Sequence, residues 1–136
     1  MSGHTALELD RVSGWYGRAQ VLTDASFTVA EGEVVALIGR NGAGKTSLLR
    51  ALMGLMPRST GRVMLNGTDV ARLPPFRRAQ QGLGYVPEDR RIFTDLTVAE
   101  NLRLAARSSE RGFSERDLLD RLERPVRELG VRLFTV

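Results

Sequence analysis

The 136-residue sequence contains no cysteine, a single histidine and a single lysine. Without cysteine, the protein has neither a disulfide framework nor a thiol nucleophile nor a thiolate metal site. The histidine, His4, lies next to the N-terminus, where side chains seldom have a fixed environment, so we do not expect it to be catalytic. These absences exclude most chemistry that depends on cysteine or histidine.

Long hydrophobic segments are also absent. The longest uninterrupted apolar runs, such as residues 34–38, are far shorter than the roughly 20 residues of a membrane-spanning helix. Residues 1–10 lack the basic start and apolar block of a signal peptide. We therefore expect a cytoplasmic protein, or one that reaches the inner face of the plasma membrane through a partner.

The remaining composition is that of one soluble globular domain, with 42% hydrophobic and 26% charged residues and a net charge of +4. The arginines are spread along the chain among 16 acidic residues, and no basic run is combined with stacking aromatic side chains. This pattern does not favour nucleic acid as a partner.

The only lysine lies in a glycine-rich segment, GRNGAGKTS, at residues 39–47. Its first eight residues match the phosphate-loop pattern G-x-x-x-x-G-K-[ST], in which glycines let backbone N–H groups surround an anion. A compact ammonium fits within such a loop better than a planar guanidinium, which explains a lysine in an arginine-rich chain. The predicted nucleotide-binding residues are Gly39, Arg40, Asn41, Gly42, Ala43, Gly44, Lys45, Thr46 and Ser47.

The segments around the loop have the order that a phosphate loop requires. The apolar run at 34–38 predicts a parallel strand buried on both faces, and residues 47–53 predict a helix that ends at Gly54. Further predictions are strands at 7–12, 21–29 and 83–86, turns at 13–17 and 30–33, a hairpin at 61–70, a short helix at 76–81, a Thr97–Glu100 capped helix to about Ala106, a loop at 107–112, and a helix after Ser114 that kinks at Pro125.

Together, the stretches SGWYGRAQVL, VAEGEVVALIGRNGAGKTSLLRALMGL, STGRVMLNGTDV and GLGYVPEDRRIFTDLTVAENL resemble an ABC-transporter ATPase subunit of the type found in branched-chain amino-acid importers. The resemblance covers residues 5–105. It implies an α/β fold: an incomplete parallel P-loop NTPase sheet with an N-terminal antiparallel β-portion and C-terminal helices. It also implies Mg-ATP as ligand, a second ATPase subunit and a transmembrane permease as partners.

The resemblance assigns roles to two residues outside the loop. Tyr16 corresponds to an aromatic residue that stacks on adenine; the alternative is that Trp15 and Tyr16 simply pack a turn. Glu88 occupies a position that is usually a glutamine contacting Mg²⁺ and the attacking water, although an exposed turn residue is the simpler alternative. Thr46 and Glu88 are thus the predicted magnesium ligands. Asp89 departs from the glycine of the branched-chain type, which leaves the transported substrate open.

Several motifs of the family do not occur in this sequence. There is no Ser-Gly-Gly signature, no Asp-Glu pair after an apolar strand, and no histidine beyond the loop. We therefore expect a truncated cassette that binds ATP without hydrolysing it alone, and an unpaired edge on the strand at 34–38. Its predicted parts are residues 1–70 with the β-portion and phosphate loop, 71–96 with the glutamine-loop equivalent, and 97–136 at the start of the helical subdomain, with a tail unassigned from about 130.

Two alternatives remain open from the residues alone. One is a stand-alone nucleotide-binding module without ATPase activity. The other is a small P-loop kinase, whose arginine-rich lid would be represented by Arg77 and Arg78 or by Arg90 and Arg91.

Overall fold

A computed structural model describes residues 3–89, 92–107 and 131–135 of the chain. The elements in chain order are β1 (Thr5–Tyr16), β2 (Ala19–Ala30), β3 (Val34–Ile38), α1 (Lys45–Met53), β4 (Arg58–Leu65), β5 (Thr68–Asp69), α2 (Pro75–Gln80), α3 (Val98–Arg107) and β6 (Val131–Thr135). The loop predicted at 107–112 starts too early, because Arg107 still belongs to α3. The rest of that loop and the predicted helix after Ser114 lie outside the described residues.

The N-terminal strands form an antiparallel sheet in the order β2-β1-β4-β5. Leu9 of β1 lies between Phe27 of β2 and Val63 of β4, which places alternate side chains of all three strands on one face. That face packs against α1 and makes the core, whose buried members are Leu9, Val12, Leu22, Leu48, Ala51, Leu52, Met56, Val63, Leu65 and Val70. The predicted antiparallel β-portion is confirmed.

The turn predicted at 13–17 is wrong for most of its length. β1 continues to Tyr16, and the chain reverses only at Gly17 and Arg18 before β2 begins. The reason is long-range pairing, since Trp15 lies opposite both Gln20 of β2 and Arg58 of β4. Two neighbouring strands keep this glycine-containing segment extended.

The phosphate-loop strand β3 has a parallel neighbour. It pairs over its whole length with β6, from Val34 opposite Val131 to Ile38 opposite Thr135. The predicted unpaired edge is therefore wrong at this side of β3, because residues 131–135 satisfy its backbone groups. The strand is also less buried than predicted: its side chains are half-buried, and Ile38 is 43% exposed.

Between β4 and α3, some of the elements predicted from local sequence patterns form and others do not. Asn66 and Gly67 make the tight turn between β4 and β5, and Thr97 with Glu100 forms the capping box of α3, as predicted. Residues 83–86 form no strand, which contradicts the prediction. Val86 is 88% exposed and Pro87 has no N–H to donate, so this segment lacks both the burial and the pairing of a strand.

Candidate functional site

The glycine-rich segment forms a loop that leads directly into α1. The N–H of Ala43 donates to the carbonyl of Arg40 at 3.0 Å and closes a tight turn, and the N–H of Leu48 donates to Gly44 at 2.8 Å as the helix begins. Gly44 has a φ of 97°, and a Cβ there would lie 2.9 Å from the carbonyl oxygen of Val21. Glycine at 44 is thus required both by the backbone conformation and by the close approach of β2.

The N-terminus of α1 has the properties of an anion site. No side chain caps it, and its first turn contains no acidic residue. The first N–H groups of a helix have no carbonyl partner within the helix, and the helix dipole adds positive potential at the same point. Phosphate oxygens would accept hydrogen bonds from these N–H groups, so the residues present fit a bound nucleotide phosphate.

Lys45 places its ammonium inside the loop. Its Nζ donates to the carbonyl of Gly39 at 2.7 Å and to that of Arg40 at 2.8 Å. Two of the three ammonium donors are therefore directed to the loop backbone, and these bonds fix the position of the charge. The third donor is left for an anion.

Thr46 and Glu88, predicted as magnesium ligands, line the same cavity although they are far apart in sequence. The cavity has a volume of about 600 Å³, and its lining residues are Thr46, Arg50, Leu55, Tyr85, Pro87, Glu88 and Asp89. A hydroxyl and a carboxylate fit Mg²⁺, which is usually held by one or two protein oxygens together with phosphates and water. Among the described residues, no group of three or more histidine, cysteine or acidic side chains is placed to hold a metal.

The two aromatic residues at the end of β1 have different environments. The guanidinium of Arg58 lies 4.5 Å from the centroid of the Trp15 ring, so one face of that ring is covered. Tyr16 is 36% exposed, and its hydroxyl accepts a 3.2 Å hydrogen bond from Arg50. Of the two rings, Tyr16 is the more accessible to a ligand.

Sequence reasoning missed Arg50. Its guanidinium bonds to Tyr16, and this bond is the main cause that raises the pKa of Arg50, with a smaller contribution from Tyr85. The spacing of Thr46 and Arg50 could have indicated this position, because residues four apart in a helix lie on the same face. Arg50 therefore brings a fixed positive charge to the cavity beside Thr46.

The sequence allows two interpretations of Arg78, a kinase lid residue or a solvated charge, and the structure contradicts both. It is 3% exposed, and its guanidinium donates to four backbone carbonyls, those of Ala51, Leu52, Ala71 and Leu73. Burial lowers its pKa, and the carboxylate of Asp69 opposes that shift. A guanidinium held in this way cannot close over a substrate. Arg90 and Arg91 lie outside the described residues.

A parallel strand followed by a glycine loop and a helix, with lysine and threonine at the helix start, defines a P-loop nucleotide-binding protein. The family model of the ABC transporter matches residues 22–133. The chain belongs to this family, and its curated relatives are ATP-binding proteins of which it matches only a part.

This chain matches a limited part of its curated relatives. The lipopolysaccharide export system ATP-binding protein LptB of Haemophilus influenzae is 41% identical over 96 residues, which are 71% of this chain and 40% of LptB. The high-affinity branched-chain amino acid transport ATP-binding protein BraG of Pseudomonas aeruginosa is 43% identical over 98 residues, 72% of this chain and 42% of BraG. The matched part is thus less than half the length of either relative.

Solved structures show the same fold. An ATP-binding subunit of an ABC transporter superposes with a TM-score of 0.68 at 41% identity, over 88% of this chain and 48% of that one. A dimeric ATP-binding cassette in a post-hydrolysis state with ADP and Pi has a TM-score of 0.66 at 22% identity, over 85% of this chain and 53% of that one. The predicted α/β P-loop fold is confirmed.

None of the helices in the described part of the chain has the length and hydrophobicity that crossing a membrane requires.

Proposed function

We propose that this chain binds Mg-ATP as the nucleotide-binding part of an ABC transporter's ATPase subunit. The observation that carries the proposal is the uncapped N-terminus of α1, with the Lys45 ammonium in the loop and Thr46 facing the same cavity as Glu88. The loop binds the phosphates, Lys45 contacts the terminal phosphates, and Thr46 with Glu88 holds Mg²⁺. The Tyr16 ring stacks on adenine.

The ion, when bound, neutralises phosphate charge and orients the terminal phosphate. The chain's own residues bind and orient the nucleotide, and no residue in the sequence supplies the Asp-Glu carboxylates of the family. A missing general base typically lowers a rate by about 10²–10⁴-fold. We therefore propose that these 136 residues bind ATP and do not hydrolyse it at an appreciable rate alone.

The partners follow from the family. We propose that a second ATPase subunit and a transmembrane permease complete the transporter, with this chain on the cytoplasmic side of the plasma membrane. We further propose that residues 1–70 form the nucleotide-binding β-portion, that residues 71–96 carry the Glu88 loop, and that residues 97–129 lie in or near the helical part that docks on the permease. Residues 131–135 belong instead to the sheet, as strand β6 beside β3.

Branched-chain amino acids are the proposed cargo, and the similarity to BraG supports this assignment. The similarity to LptB is of nearly the same extent and favours lipopolysaccharide export instead. Asp89 differs from the glycine expected at that position in the branched-chain type. Co-purification of the chain with each candidate permease would separate the two assignments.

A second candidate is a nucleotide-binding module that acts without hydrolysis beside an intact subunit. It is favoured by the pairing of β3 with β6, which provides the phosphate-loop strand with a neighbour from within this chain. Size-exclusion chromatography of the purified chain tests it, because a monodisperse, ATP-binding monomer supports an independent module and insoluble protein contradicts it.

Calorimetric titration of the purified chain with ATP tests the main proposal. We expect saturable binding to one site, with higher affinity when MgCl₂ is present than in excess EDTA. Inorganic tripolyphosphate is the comparison ligand, since it retains the phosphate contacts and lacks the base. Absence of ATP binding by soluble, folded protein would contradict the proposal.

A further inference from the structure

The segment that carries Glu88 runs along α1 from its C-terminal end to its first turn. Residue 78 contacts the helix at Ala51 and Leu52, Tyr85 acts electrostatically on Arg50, and Glu88 faces the cavity together with Thr46. The contacts therefore move step by step towards the helix N-terminus as the residue number increases. The alignment between helix and segment determines which residue lies opposite Thr46.

The lengths of α1 and of the 83–88 segment allow the segment to follow the helix from one end to the other. The nine residues of α1 span about 13 Å at 1.5 Å per residue. The six residues from 83 to 88 reach at most about 20 Å when fully extended. Since residues 83–86 form no strand, no ladder of backbone hydrogen bonds sets their alignment with a neighbouring strand. The alignment must depend on the points where the segment is attached.

Arg78 provides such an attachment, because it contacts both the end of α1 and the first residue of the segment. Its Nη1 donates to the carbonyls of Ala51 at 2.9 Å and Leu52 at 2.6 Å, in the last turn of α1. A Cβ at Gly54 would lie 2.9 Å from its Nε, so the helix end is shaped around the guanidinium. The backbone carbonyl of Arg78 also accepts the N–H of Leu83 at 3.2 Å, where the 83–88 segment starts.

We propose that Arg78 is a positioning residue for the metal pair Thr46 and Glu88. It fixes the far end of α1 to the start of the 83–88 segment, and this attachment sets Glu88 opposite Thr46 at the other end of the helix. The inference rests on the proposed Mg-ATP function, and its specific consequence is that Arg78 controls the contribution of Mg²⁺ to binding more than the binding of the phosphates.

The test compares the Mg²⁺-dependent gain in ATP affinity, that is, the ratio of dissociation constants in EDTA and in MgCl₂, for variants of the full chain. Residues that support metal ligands typically alter metal affinity by about 10–100-fold. We expect Arg78→Lys to reduce the gain roughly tenfold and to leave the affinity in EDTA nearly unchanged. Arg78→Met, which removes every donor, reduces the gain at least as much.

Two controls separate positioning from stability. Arg77→Lys changes the exposed neighbour in the same helix, whose guanidinium donates to the side chain of Gln80 and lies over the ring of Phe76, and it leaves the gain intact. Val12→Ala opens the core in β1, away from the segment, and lowers the melting temperature while it preserves the gain.

The outcomes are distinct. Loss of the gain in both Arg78 variants with preservation in both controls supports the proposal. A retained gain in Arg78→Lys and Arg78→Met overturns it, as does a loss that follows the melting temperature in all variants or the failure of both Arg78 variants to fold. A wild-type chain that binds ATP without any Mg²⁺-dependent gain contradicts the proposed metal pair itself, and Arg78 then has no such pair to position.

Discussion

The guanidinium of Arg50 donates a 3.2 Å hydrogen bond to the hydroxyl of Tyr16, 34 residues earlier in the chain. One residue lies in the helix that follows the phosphate loop, and the other lies at the end of β1. The bond ties the ring proposed for adenine to the helix proposed for phosphate. Its position makes the contributions of stacking and of hydrogen bonding experimentally separable.

Tyr16→Ala removes the ring, and we expect it to weaken ATP binding by about 1–3 kcal/mol, the contribution of an aromatic side chain stacked on a base. Tyr16→Phe keeps the ring and removes only the exposed bond to Arg50, so its affinity stays within a few-fold of wild type. Calorimetric titration measures both. Tripolyphosphate serves as control ligand, and an equal loss of ATP and tripolyphosphate affinity in Tyr16→Ala would argue against stacking.

Lys45→Arg is expected to abolish measurable ATP binding. The ammonium lies within 2.8 Å of two loop carbonyls, and a bulkier, planar guanidinium cannot occupy the same position. Arg72→Lys is the matched control, because it makes the reverse exchange at an exposed side chain outside the loop and keeps affinity. Retained affinity within a few-fold in Lys45→Arg would show that the loop does not need an ammonium.

Gly44→Ala is expected to destabilise the fold more than Gly17→Ala. Both glycines have positive φ, 97° and 58°, and an alanine there costs about 1–2 kcal/mol. A Cβ at 17 meets no atom within 4 Å, whereas a Cβ at 44 approaches the carbonyl oxygen of Val21, and such overpacking adds about 1–3 kcal/mol. Urea unfolding monitored by circular dichroism measures both. Equal free energies of unfolding for the two variants would contradict the close approach of the loop to β2.

Local signals in the sequence predicted much of the local structure around the candidate site. The phosphate loop, the helix that ends at Gly54 and the Asn66–Gly67 turn depend on residues close together in the chain, and all three lie where expected. In contrast, the extension of β1 through Trp15 depends on pairing with Arg58 in β4. Such pairing is decided by the tertiary structure, which local propensity does not contain.

Arg78 shows the same limit for the site. In the sequence, nothing distinguishes Arg78 from its neighbour Arg77, and both resemble solvated charges. In the structure, Arg77 is exposed and Arg78 is buried. The difference arises because the C-terminal carbonyls of α1 lie beside α2 in the folded chain. Likewise, the pairing of residues 131–135 with β3 joins segments nearly 100 residues apart. No sequence motif predicts such a long-range contact.

The last prediction concerns the pH dependence of the α3 capping box. The N–H and hydroxyl of Thr97 both donate to Oε2 of Glu100 at 2.8 Å, and the backbone bond is the main cause that lowers the pKa of Glu100. A lowered folded-state pKa means that the stabilisation is complete above the ordinary value of a glutamate and is lost as the pH falls through the lowered value.

Acidification from neutral pH through the range just below 4.5 is therefore expected to speed hydrogen exchange at the amide of Thr97, relative to its intrinsic acid dependence. Glu100→Gln is the matched control, because its side-chain oxygen still accepts from Thr97 but does not titrate. NMR-detected exchange measures both proteins. If Glu100→Gln lost protection over the same pH range as the wild type, another group would have to control the cap.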